Sequence, residues 1–334
     1  MSKHFQFLIA LVIVIAMPLF MKSGSLATEV LIYGLAAMGC NLLLGYTGLL
    51  SFGQGIFFGL GSYTLGILLT RLPIPMPVAL LSAVLMGALG AAIVGWVAIR
   101  QRGTYFVMLT LAFAQMFYFI AYSLPDLTGG DNGLMDIPRK SISIAGQTIV
   151  PLDSPWQYYG FVAVLFLLVY VPLRRVCDSI FGRTLLAVRD NEERAGAVGY
   201  NLRLLKLQAF VISGAVTGLA GALHALMTGI APLSNAEYHT SEMILVMTVI
   251  GGTGNLLASL LGAAFYVLLG DWLSTLWPRW LLILGVVLMA VSLGMQGGLW
   301  GMCQKLWQRI SGARERPADG QSTQTPASTK GGQA

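Results

Sequence analysis

The chain has 334 residues, of which 56% are hydrophobic and only 10% charged, with a formal net charge of +6. Its mean hydropathy is +0.74. A soluble domain is roughly one-quarter charged, so the water-soluble globular, disordered and collagen-like classes are excluded and a polytopic membrane protein remains. In such a protein a basic excess reflects Lys and Arg retained at the cytoplasmic face, so no nucleic-acid partner is expected. Cys40, Cys177 and Cys303 are far apart and form no CxxC pair, which argues against a disulfide framework or a metal site.

A crossing needs about 20 mostly apolar residues. In chain order the charge-free runs are 5–21, 30–70, 72–99, 103–125, 155–173, 207–236, 243–270 and 280–304. The first, preceded by Lys3, has a core longer than the apolar part of a signal peptide and reads as an uncleaved span. The second is too long for one span and breaks at Gly45-Tyr46-Thr47-Gly48, giving two, near 26–46 and 50–70. The runs are continuous rather than alternating, so the fold class is all-α and not a barrel. The cluster Gly251-Gly252-Thr253-Gly254-Asn255 divides 243–270. That division gives about ten transmembrane helices, with 243–250 short enough to be a re-entrant half-helix buried in protein. Trp272, Trp277 and Trp280 then share the outer interface, where Trp is enriched.

Charge placement orients these spans. Residues 174–206 hold Arg174, Arg175, Arg183, Arg189, Arg194, Arg203 and Lys206, and Arg100 and Arg102 mark a second basic loop. Residues 125–156 are acid-rich, with Asp126, Asp131, Asp136 and Asp153. Placing 174–206 in the cytoplasm sets 125–156 outside, 100–103 inside, 71–76 outside and the N-terminus inside. The division is thus a permease domain over 1–304, with a cytoplasmic loop at 174–206 and an extracytoplasmic loop at 125–156. A disordered, cytoplasmic Ser/Thr/Gln/Gly/Pro-rich tail follows over 305–334.

The chain carries no Walker A sequence, no HExxH, no GxSxG and no buried carboxylate pair, so no catalytic, cofactor or metal site is expected in it. His224 lies mid-span and reads as a packing histidine. The spans hold essentially no ionisable group, which weighs against a self-powered ion- or proton-coupled carrier. A passive channel is disfavoured by the long cytoplasmic loop. Within that loop, 184–198 reads as a short helix that stops at Gly199. It mixes Arg189, Asp190, Glu193 and Arg194 with Leu185, Leu186, Ala195 and Val198, either a solvated surface or apolar anchors in a charged rim.

Leu49-Leu50-Ser51-Phe52-Gly53-Gln54-Gly55-Ile56-Phe57-Phe58-Gly59 through Tyr63, then Arg102-Gly103-Thr104-Tyr105-Phe106 with Leu109 through Gln115, resemble the branched-chain amino acid ABC transporter permeases. So do Thr128-Gly129-Gly130-Asp131-Asn132-Gly133, Gly182-Arg183 through Glu192, Lys206, Gly218 and Gly251-Gly252-Thr253-Gly254. The similarity runs over about residues 30–270. Two positions depart from the family pattern: Ala258-Ser259 where Gly-Pro is frequent, and Gln54 where many members have His. The resemblance implies an importer subunit, not an enzyme, in a bacterial inner membrane, N- and C-termini cytoplasmic. It would work with a second homologous permease, two ATPase subunits that bind ATP-Mg, and an extracytoplasmic substrate-binding protein. Related members import urea, short amides or other small organic acids. The ATPase-contacting loop of the family corresponds here to Gly182, Arg183, Arg189, Asp190, Asn191, Glu192 and Gly199. A zwitterion crossing such a protein needs polar groups on its path, and Asn41, Ser51, Gln54 and Gln115 are uncharged polar side chains at or near span interiors. Hydrogen bonding between helices is the competing use of the same groups.

Overall fold

The computed structural model describes residues 11–18, 21, 23–72, 74–139, 142–144, 147–150, 154–276, 278–294 and 298–302. The proposed tail at 305–334, Trp277, and residues 5–10, 19 and 20 of the first apolar run lie outside these residues. The helices are α1 (Gly24–Asn41), α2 (Gln54–Arg71), α3 (Met76–Ala98), α4 (Thr104–Ser123), α5 (Pro155–Asp178), α6 (Ile180–Asp190), α7 (Glu192–Ala197), α8 (Leu202–Thr228), α9 (Tyr238–Gly251), α10 (Leu256–Leu276) and α11 (Trp280–Gly294). A small antiparallel hairpin pairs β1 (Ile142–Ile144) with β2 (Gln147–Val150) between α4 and α5.

Six helical segments among the described residues are long and apolar enough to cross a membrane: Gly24–Thr47, α3, α4, α5, α8 and α10. A count of ten would also need α2, α9, α11 and the first run, of which 11–18 is helical. The break expected near 45–48 is present: α1 passes into a π-helical segment, Leu42–Thr47, that ends at Gly48 in the left-handed region (φ 72°). The glycine cluster at 251–255 likewise ends α9 and precedes α10.

Local capping explains the other boundaries. Ser154 and Gln157 form a capping box at the start of α5, with Pro155 in the first turn. Asn201 caps α8, and Gly229 ends it at φ 74°. The segment 184–198, expected to form one helix, is two. Asn191 is extended (φ −158°) and its side chain accepts from Arg194 N, so it starts α7 instead of continuing α6.

The core is a glycine-mediated crossing of α8 with α2 and α3. A Cβ at Gly61 would lie 1.8 Å from Gly218 O, and one at Gly87 would lie 2.5 Å from Gly214 O. Only glycine lets the backbones meet so closely. Phe57 and Phe210 pack edge-to-face beside this crossing, 5.5 Å between ring centres. α1 lies against α8 and is flanked by α5 and α10. One ionisable group departs from the expectation of neutral spans: Glu29, in the second turn of α1, is half-buried.

The two ends of the bundle differ. At one end, Arg102 pairs with Glu192 at 3.6 Å, so the basic loops 100–103 and 174–206 meet. At the other, Arg71 donates to the carbonyls of Asp126 and Leu127, so 71–76 meets the loop after α4. There Thr128 donates to Leu124 O, and Gly129, Gly130 and Gly133 all take positive φ. The Thr-Gly-Gly-Asp-Asn-Gly motif is a compact turn, held to the chain after α8 by the Leu134–Ala231 bridge.

Candidate functional site

Two clusters collect the residues singled out above. The first is the surface element α6–α7. Gly182 is at its first turn because a Cβ there would sit 2.1 Å from Cys177 O. Arg189 extends to the π-helical segment that continues α1: its Nη1 donates to Gly45 O at 2.5 Å. The stem of Arg189 lies over Gly48, where a Cβ would be 2.9 Å from its Cγ. Glu192 pairs with two cations, Lys206 at 2.8 Å and Arg102 at 3.6 Å. Lys206 is buried at the start of α8, so this carboxylate satisfies a charge that would otherwise be stranded. The element is thereby tied to α1, to the α3–α4 loop and to α8.

Arg183, Asp190, Asn191 and Gly199 face outward and are exposed. Gly199 takes φ 96°, and a Cβ there would meet nothing within 4 Å. Ile180 is 81% exposed and Val198 74% exposed, an unusual position for aliphatic side chains beside so many charges. Val198 was named among the apolar residues of this element and Lys206 among the basic residues of its loop, whereas the exposure of Ile180 and the pairing of Glu192 with Arg102 and Lys206 depend on the fold.

The second cluster is the polar interior, and it does not bring the four pathway candidates together. Asn41 is fully buried. Its Nδ2 donates to Asn255 O (2.8 Å), Ser259 Oγ (2.8 Å) and Gly252 O (3.4 Å), and its Oδ1 accepts from Gly254 N (3.0 Å). Gln54 is also fully buried. It donates to Ser213 Oγ (3.1 Å) and accepts from Thr217 Oγ1 (2.7 Å), and Ser213 donates onward to Gly39 O (2.7 Å). Ser51 is buried and accepts from Gly53 N at 3.1 Å, holding the turn before α2. Gln115 alone is exposed, on a face of α4 it shares with Met108, Phe119 and Tyr122. His224 packs against the rings of both Tyr33 and Phe58, with Nδ1 3.3 Å from Asn235 Nδ2. Among the described residues no group of acidic, His and Cys side chains is placed to hold a metal ion.

The arrangement ties the surface element to three separate parts of the bundle. The family described as branched-chain amino acid transport system, permease component, matches residues 23–292. The high-affinity branched-chain amino acid transport system permease protein LivM of Escherichia coli K12 is 27% identical, covering 93% of this chain and 78% of that protein. Its Salmonella typhimurium counterpart is 28% identical over the same shares. The autoinducer 2 import system permease protein LsrC of Escherichia coli is 24% identical, covering 87% of this chain and 86% of that protein. No solved structure matches.

Proposed function

The chain belongs to the branched-chain amino acid transport system permease family and is a multi-pass permease of the ABC-transporter kind, and from that premise we propose that it moves branched-chain amino acids inward across a bacterial inner membrane. In this reading it forms half of a pore with a second, homologous permease and receives substrate from an extracytoplasmic binding protein. Two ATPase subunits, which hold the ATP-Mg, drive it. The basic loops 100–103 and 174–206 and both termini are cytoplasmic, and 125–156 is outside. There are ten crossings, and α9, about 21 Å long for its 14 residues, is a discontinuous one.

The observation that carries the reading is the triple tie of α6–α7 to α1, the α3–α4 loop and α8. A partner that seizes Ile180, Val198 and the charges around them pulls on three helix ends at once. That is what an ATPase needs in order to switch a pore between outward- and inward-open states. Gln115 lines the pathway, because an exposed amide in mid-span is costly against lipid and useful against a zwitterion.

Reconstitution tests this. Purified with its partners in proteoliposomes, the chain should support leucine uptake that requires both ATP and the binding protein. Single cysteines at 102 and 194 should react with impermeant maleimide only from the ATPase side, and one at 131 only from the opposite side. Labelling of 194 from the binding-protein side would sink the orientation. The likeness to an autoinducer 2 permease favours one second reading, an importer for another small organic solute. Uptake that urea, a short amide or a small organic acid competes away, while leucine does not, would select it.

A further inference from the structure

We propose that Asn41 is a positioning residue that clasps the break between α9 and α10 to the surface element α6–α7, through Gly45 and Arg189. The proposal rests on reading α6–α7 as the part on which the ATPases pull, and it adds where that pull arrives.

The end of one helix and the start of the next leave carbonyls and N–H groups without partners, and a tight turn between closely packed helices has to satisfy them locally. At the α9–α10 break Asn255 caps the start of α10 through Leu257 N (3.0 Å), and one side chain from another helix reaches the rest of the turn. Asn41 serves the carbonyls of Gly252 and Asn255, the N–H of Gly254 and the hydroxyl of Ser259. The backbone it holds turns through two glycines at positive φ, Gly252 at 118° and Gly254 at 90°, a region that residues with a side chain rarely adopt. α9 and α10 cross closely beside the break, since a Cβ at Gly262 would lie 1.9 Å from Met247 O and one at Gly251 would lie 2.0 Å from Ala258 O.

One turn beyond Asn41, Gly45 touches both sides of the same junction. A Cβ there would be 2.1 Å from Asn41 Oδ1 and 2.5 Å from Gly254 N. The carbonyl of Gly45 is also the one that Arg189 of α6 holds at 2.5 Å. A chain of contacts therefore runs from Arg189 to Gly45, from Gly45 to Asn41 and Gly254, and from Asn41 across 252–259. Its middle member lies in the π-helical segment Leu42–Thr47, and π segments occur frequently at functional sites. A displacement of α6 has a short polar route into the broken helix. The side-chain partners of Gln54 lie instead on the uninterrupted α8.

The test uses the complete complex in proteoliposomes, in a background where Cys40, Cys177 and Cys303 are replaced by serine and Thr253 by cysteine. The labelling rate of residue 253 by impermeant maleimide is compared without nucleotide and after trapping with ATP and vanadate. The parent should change by about tenfold, the scale of effect that one charge-assisted hydrogen bond supports. Asn41→Leu, Asn41→Asp and Arg189→Met should each reduce that change to under about twofold while the complex still assembles, and Arg189→Lys should restore most of it. Were the Asn41 variants not to assemble, Arg189→Met, which leaves the clasp itself intact, decides the matter. Retention of the parent's nucleotide response in Arg189→Met overturns the inference. So does a parent complex that takes up leucine with no nucleotide-dependent change at 253, which would leave the transport reading standing. A parent with no ATP-dependent uptake of any solute removes the transport reading and this inference with it.

Discussion

Gln54 and Asn41 are two buried amides in one bundle, and they fasten different kinds of structure. Gln54 joins the first turn of α2, where Gly55 N is already served by Ser241 Oγ (2.7 Å), to Ser213 and Thr217 in the uninterrupted middle of α8. The crossing it decorates is already closed by Gly61 against Gly218 and by Gly87 against Gly214. Asn41 joins α1 to a stretch whose backbone bonds are incomplete, and nothing else at that junction serves Gly254 N among the described residues. The first amide supplements packing, while the second substitutes for secondary structure. Loss of the first should therefore read out as stability and loss of the second as coupling.

The largest effect expected is at the packed crossing itself. Gly61→Ala sets a methyl group 1.8 Å from a backbone carbonyl, and neither side is a flexible side chain that can move. Overpacking of this kind costs about 1–3 kcal/mol or more. Monodisperse protein should fall sharply in yield and melting temperature, and a normal melting curve would show that the crossing is loose. Next is Glu192→Ala, which strands the buried Lys206. A fully buried broken pair costs about 3–5 kcal/mol, and the 29% exposure of Glu192 places this one lower, at about 2 kcal/mol. Asp190→Ala, on an exposed pair with Arg189, should change the melting temperature hardly at all; equal losses in the two variants would contradict the burial of Lys206.

Gln54→Leu sharpens the comparison directly. Two interhelical hydrogen bonds in a membrane protein amount to about 1–3 kcal/mol. The melting temperature should drop accordingly while the ratio of solute transported to ATP consumed stays at the parent value. A changed ratio with normal stability would show that Gln54 belongs to the transport path and not to the crossing. The smallest structural effect belongs to Gln115→Leu, which deletes an amide without a partner among the described residues. Stability should be unchanged and uptake reduced; normal uptake would move the pathway off this face of α4.

Much of this organisation is written in local sequence. The interruptions at 45–48 and 251–255 show as glycine clusters inside apolar runs, and the surface element shows as a block of charge. Asn191 misleads, because an Asn flanked by helix formers looks like an interior position. Only its extended backbone and its bond to Arg194 N reveal a cap. The polar residues in spans are harder still. Asn41 bonds to groups more than 200 positions away along the chain, and a sequence window cannot distinguish an amide that mends a helix end from one that faces a solute. Glu192 has the same difficulty, since its cations come from Arg102 and Lys206 on separate elements.

The π-helical stretch Leu42–Thr47 carries a residue more per turn than an α-helix, about 100° of rotation for everything that follows it. Deleting one residue there, Leu44 for instance, would repair the helix into regular α-geometry and by local measures improve it. The same repair would turn Gly45 away from Arg189 and from Gly254. An improved helix and a severed connection would arise from a single codon. A family member that lost the extra residue could keep its fold, yet its membrane segment would no longer register the state of the surface that drives it.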